Sequence, residues 1–109
     1  MVKKILSLFA VLLLTSTAVF AFDGYIEVTN DTGFDIYFLN ISHEDSDSWE
    51  EDVLGSDILA YGETVRVDVT GYPSSIFDVR AIDEDGDTYT FWGVDIAVYD
   101  LVITLDDLD

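Results

Sequence analysis

Val65-Arg66-Val67-Asp68-Val69 alternates apolar and charged residues without a fault, and this period of two decides the fold class. Successive side chains of a strand leave opposite faces, so Val65, Val67 and Val69 share a buried face while Arg66 and Asp68 point out. The same alternation runs through Tyr25-Ile26-Glu27-Val28-Thr29 and Leu101-Val102-Ile103-Thr104-Leu105. Residues 34–41 are nearly continuously apolar, with only Asp35 and Asn40 polar, which predicts a central strand covered on both sides. Residues 76–82 and 88–92 supply two more strands. Turn-rich clusters separate the runs: Asn30-Asp31-Thr32-Gly33, Tyr61-Gly62-Glu63, Gly71-Tyr72-Pro73-Ser74 and Glu84-Asp85-Gly86-Asp87. One short helix is expected over residues 48–54, where Ser48 and Glu51 have capping-box spacing and acids fill the first turn.

Strands that follow one another without long helices favour antiparallel pairing. The expected fold is therefore all-β: a small antiparallel two-layer sandwich of six to seven strands with at most one short helix, a partly open barrel being the alternative. The two arginines beyond the N-terminal segment are expected to meet carboxylate partners on one exposed sheet face. A hairpin centred on Pro73 would set Arg66 opposite Arg80 and Asp68 opposite Asp78, with like charges facing. A two-residue slip would relieve this by pairing Arg66 with Asp78. The length of the 71–75 connection favours a third arrangement, a crossover between sheets.

The first 21 residues read as an export signal: Lys3 and Lys4, an apolar stretch over residues 5–14, and Val19-Phe20-Ala21 as a small-residue cleavage site. Residues 22–109 then form a single β domain, placed in the periplasm or the medium. With no cysteine, the chain has no disulfide, no thiol nucleophile, no Cys-ligated metal and no lipid attachment at the cleavage site.

Several segments together carry a resemblance. Asn30-x-Thr32-Gly33, Ile41-Ser42, Ser46-x-Ser48-Trp49, Asp52-x-Leu54-Gly55, Leu59-x-x-Gly62, Phe77-Asp78-Val79-Arg80-Ala81-x-Asp83-x-Asp85-Gly86 and Gly93-Val94-Asp95-Ile96 resemble a family of small exported bacterial β domains of unknown function. The position after Trp49, Gly in that pattern, is Glu50 here. The resemblance implies a single exported β domain and no particular chemistry.

All 23 acids lie in residues 22–109 against Arg66 and Arg80, a net charge of −21. Such a surface excludes nucleic acid, whose phosphates require clustered Lys and Arg, and disfavours anionic membranes. It attracts cations and basic proteins, so a basic protein is the expected partner. Thirteen of the 15 aromatic residues also lie in this region, which argues for an ordered core despite the charge.

Asp83, Asp85 and Asp87 are candidate metal ligands, for weak Ca2+, because hard cations collect several oxygens on a flexible loop. The EF-hand spacing would make Ala81 the first ligand, so that motif does not apply. The plainer expectation is a hairpin in which Asp85-Gly86 takes a type I′ turn beside solvated acids. The acidic run 43–52 holds the only histidine, His43, and reads as a solvated connection, with Trp49 a core plug or an exposed contact residue. His43 is the only imidazole available as a base for a serine nucleophile, and no Gly-x-Ser-x-Gly elbow exists. Two N-glycosylation sequons, at Asn30 and Asn40, would be coincidence in a bacterial protein. The expected function is a secreted or periplasmic, non-enzymatic binding or accessory module with no required cofactor. A calcium-stabilised structural domain and a small hydrolase are the alternatives.

Overall fold

The computed structural model describes residues 21–109, so the expected export signal lies outside the described residues. Each apolar run becomes a strand: β1 (Phe22–Asp31), β2 (Ile36–His43), β3 (Thr64–Tyr72), β4 (Ile76–Asp83), β5 (Thr88–Asp95) and β6 (Leu101–Thr104), with a 3-10 turn over Leu105–Asp107. They build two three-stranded sheets, ordered β3-β1-β6 and β2-β4-β5, without closing a barrel. Only β4 and β5 are joined by a hairpin. Every other connection carries the chain from one sheet to the other.

The alternating patterns aim apolar side chains into the space between the sheets. Ile26, Val28, Val67, Val69 and Ile103 enter it from one sheet, and Ile36, Leu39, Ile41, Phe77, Val79, Ala81 and Tyr89 from the other. Fully burying a side chain such as Phe77 or Ile26 stabilises the fold by about 1.5–3 kcal/mol. Leu54, Leu59 and Ile96, from connections, complete the same core.

Three expectations need correction. The β1–β6 pair is parallel, with Val28 opposite Leu101 and Asn30 opposite Ile103, whereas β1–β3, β2–β4 and β4–β5 are antiparallel. The inference from short connections applies to strands adjacent in sequence, and β1 and β6 are the two ends of the domain. The run 34–41 is not a central strand, since β2 is an edge of its sheet. Its outer edge is covered by its own long connection, which returns twice to pair Asn40 with Asp52 and Ile36 with Leu59. A register irregularity between Ile36 and Phe38 leaves Tyr37 and Phe38 exposed.

That covering also removes the helix expected over residues 48–54. A one- or two-turn helix is marginal by itself, and here its amide groups find better partners on β2. Glu50 N–H donates to the Ser42 hydroxyl (2.7 Å) and Val53 N–H to the Leu39 carbonyl (2.8 Å). Asp52 Oδ1 accepts from both Leu39 N–H and Leu54 N–H.

The arginines settle on different sheets, because β3 and β4 are joined by the favoured crossover and not by a hairpin. Arg66 lies opposite Glu27 on β1, reaches Asp68 at 3.1 Å and covers the Tyr25 ring at 3.8 Å. Arg80 donates to Asn40 Oδ1 and lies 4.8 Å over Trp49. The two therefore share no face.

At the end of β1 the inward register Ile26, Val28 continues to Asn30, a fully buried polar residue. Its amide nitrogen donates to the carbonyls of Phe34 (2.7 Å) and Leu59 (2.9 Å), and its Oδ1 accepts from Thr32 N–H (3.0 Å) and the Thr32 hydroxyl (2.7 Å). Its backbone N–H donates to Glu63 and its carbonyl accepts from Gly62, which holds φ at +89° to complete that turn. Asn30→Ala would orphan the Thr32 N–H, at a cost of about 1–3 kcal/mol, and would leave the Phe34 carbonyl to the Thr32 hydroxyl and the Leu59 carbonyl to Ile36 N–H. The variant should lose about 2 kcal/mol and melt roughly 8 °C or more below the parent in a thermal scan; a fall of only a degree or two would mean that water replaces the amide.

Candidate functional site

The inward register of β4 runs Phe77, Val79, Ala81 and ends on Asp83, which is buried. Its Oδ1 accepts the N–H groups of Asp85 (2.9 Å) and Asp87 (3.0 Å), and its Oδ2 accepts the Tyr89 hydroxyl (2.9 Å). Gly86 N–H donates to the Asp83 carbonyl, and Asp83 N–H to that of Asp87. The loop therefore holds three residues, 84–86, with Gly86 at φ +83°, in place of the expected two-residue type I′ turn. The Asp83 carboxylate gathers the amides that would otherwise set the shorter turn. Glu84 ties the hairpin tip to the β1–β2 connection, accepting from Asp35 N–H and donating to its carbonyl.

The three expected ligands do converge, with one oxygen from each of Asp83, Asp85 and Asp87 all lying within 4.8 Å of one another. Asp85 and Asp87 are exposed, whereas Asp83 already accepts three hydrogen bonds. The cluster is thus first a turn-forming device, and a cation would draw mainly on two solvent-facing carboxylates.

His43 ends the inward register of β2 and is also buried. Its ring stacks on Tyr72 (5.8 Å, 18°) and meets Phe77 edge-on (5.4 Å). Nδ1 lies 3.3 Å from the Asp45 N–H and 3.8 Å from Asp45 Oδ2, and Nε2 lies 2.8 Å from the Ser74 hydroxyl. The imidazole is packed between two aromatic rings and hydrogen-bonded at the end of the core.

On the outer face of the second sheet, Trp49 is half-buried and leans on Trp92, with ring centroids 5.6 Å apart and planes 33° apart. It is neither a core plug nor packed on a helix. A register shift in β5, with Gly93 at φ +65° donating to Asp78 Oδ1 (2.8 Å), throws Trp92 outward until it is 72 % exposed. Ser42, Ser46, Asp47, Ser48 and Asp78 join the two rings around a cleft of about 140 Å3. A broader depression of about 420 Å3 lies between the start of β1 and residues 96–100.

The acidic run 43–52 is less solvated than expected. Glu50 accepts the Tyr72 hydroxyl and Asp52 caps two amides, although Asp45 and Asp47 stay exposed. Both sequon asparagines are buried and bonded, leaving neither amide free for a glycan.

Asn30, His43 and Asp83 play one structural part, and alternation alone could have found it. Each falls on the inward register of its strand, at its end or one residue short of it, where a polar residue must be satisfied. The Trp49–Trp92 cleft had no signal of comparable strength, because the two rings are 43 positions apart and meet only through the bulge at Gly93. Comparison with known family models, curated proteins and solved structures finds no match.

Burial, followed by the hydrogen bond to Asp83, pushes the Tyr89 hydroxyl up to about 12. Burial and Glu50 raise Tyr72 in the same direction. An acid harder to ionise when folded holds its proton in the native state after the unfolded chain has released it. The stabilisation is complete below pH 10 and drains between pH 10 and 12, by about 1.4 kcal/mol per pH unit for Tyr89. Urea unfolding across this range should show that decline, and Tyr89→Phe should flatten it to the part due to Tyr72; an unchanged slope would remove Tyr89 as the cause.

Proposed function

We propose that this chain is an exported, non-enzymatic binding module whose acidic surface engages a basic protein partner. The observation that carries this reading is the fate of its two cations. Arg66 is held by Asp68 and Tyr25, and Arg80 by Asn40 and Trp49, so among the described residues both positive groups are engaged within the fold. The charge left unpaired at the surface is carboxylate, and Arg66, though exposed, is neutralised by Asp68. Such a field accelerates encounter with basic proteins and repels acidic ones. The burial of His43 between Tyr72 and Phe77 supports the non-enzymatic reading, and the leader-like N-terminus supports export. Among the described residues, no helix is long and apolar enough to cross a membrane.

Calorimetric titration with a lysine-rich peptide tests the reading. Binding should be measurable at low salt, weaken steeply as the Debye length shortens, and be absent for a glutamate-rich peptide. No binding at low salt, or binding indifferent to salt, would overturn it.

The convergence of Asp83, Asp85 and Asp87 favours a second reading, a domain stabilised by Ca2+. An extracellular-type site with a Kd on the order of 1 mM would gain about 1.4 kcal/mol in ten-fold excess Ca2+. Melting temperature should then rise by several degrees in Ca2+ and less in equal Mg2+, with the difference lost in Asp85→Asn. Identical curves in the two ions would leave the turn as the cluster's only role.

A further inference from the structure

We propose that the cleft between Trp92 and residues 46–49 receives a lysine or arginine side chain of the basic partner, an inference that rests on the binding-module reading. Trp is the best aromatic face for a cation, and the fold already uses one in this way, with the Arg80 guanidinium 4.8 Å over Trp49. Trp92 offers the adjoining ring to solvent. Asp47 and Asp78 supply charge at the rim. Asp78 uses Oδ1 to hold Gly93 N–H, and its Oδ2 accepts no side-chain or turn hydrogen bond among the described residues.

The dimensions select the occupant. A volume of about 140 Å3 takes the end of one side chain, and falls below the roughly 300 Å3 at which sites for whole small molecules begin. The rings are tilted by 33° and one face of Trp49 is covered by Arg80, so they form no flat platform for a neutral sugar. The −21 charge of residues 22–109 makes the side chain cationic and its carrier a basic protein. The bulge at Gly93 keeps Trp92 aimed outward in advance, which lowers the ordering cost of binding.

Trp49 and Trp92 are the only tryptophans in the chain, so tryptophan emission, excited beyond the tyrosine band, reports on this cleft alone. The protein is titrated with tetralysine at low salt, with emission and calorimetry followed together. Tetralysine should shift the emission, and its side-chain-acetylated form should not. Trp92→Ala should weaken binding about five-fold or more. Asp78→Asn should weaken it further than Asp106→Asn, which removes the same charge from the 3-10 turn.

Heat of binding without an emission change, and undiminished in Trp92→Ala, would overturn the cleft while leaving the acidic-module reading standing. Absence of binding by either measurement would overturn both. An equal emission shift from the acetylated peptide, or one from a neutral oligosaccharide in place of tetralysine, would overturn the choice of a cation.

Discussion

The fold depends on one amide. Asn30 sits where β1 leaves the core, at the point from which the chain must reach the other sheet, and it uses both side-chain hydrogens and both Oδ1 lone pairs without solvent. Through them it fixes the β1–β2 turn and the segment that returns along β2. An apolar residue at this position would satisfy the hydrophobic pattern and strand the buried Thr32 N–H. His43 and Asp83 repeat the solution at the ends of β2 and β4. Strand interiors are held by apolar packing, and strand ends by buried polar groups that gather the backbone where it turns.

That division explains what was legible. A period of two is a local property of a strand, so all six strands and the sandwich class follow from runs such as Val65–Val69. Partnership between strands is not local, and the parallel match of β1 with β6 leaves no mark in either segment. Residues 48–54 show the same limit from the other side. Their capping pattern is genuine local chemistry, but Ser42, Leu39 and Asp52 offer those amides better partners. Asp83, Asp85 and Asp87 were visible as a group because they are neighbours in sequence. Their division into one buried organiser and two exposed acids was hidden, since it depends on where the inward register of β4 stops.

Charge and fold are nearly independent in this molecule. The carboxylates that matter to the architecture, Asp52, Asp83 and Asp95 among them, accept hydrogen bonds from backbone amides and hydroxyls and do not pair with cations. Charge-assisted acceptance of this kind is stronger than a neutral bond and needs no lysine. The chain can therefore carry a strongly acidic exterior without relying on ion pairs.

The order of the strands also governs when the domain can exist. Sheet one joins β1 to β6, so Val28 waits for Leu101 across 73 intervening steps of chain, and only the β4–β5 hairpin forms from neighbouring sequence. Such a topology has high contact order and folds slowly compared with one built from local hairpins. A chain whose synthesis has not reached Leu101 lacks the strand that completes its first sheet. Until residues 101–104 are present, β1 has a free edge and the core is missing Ile103.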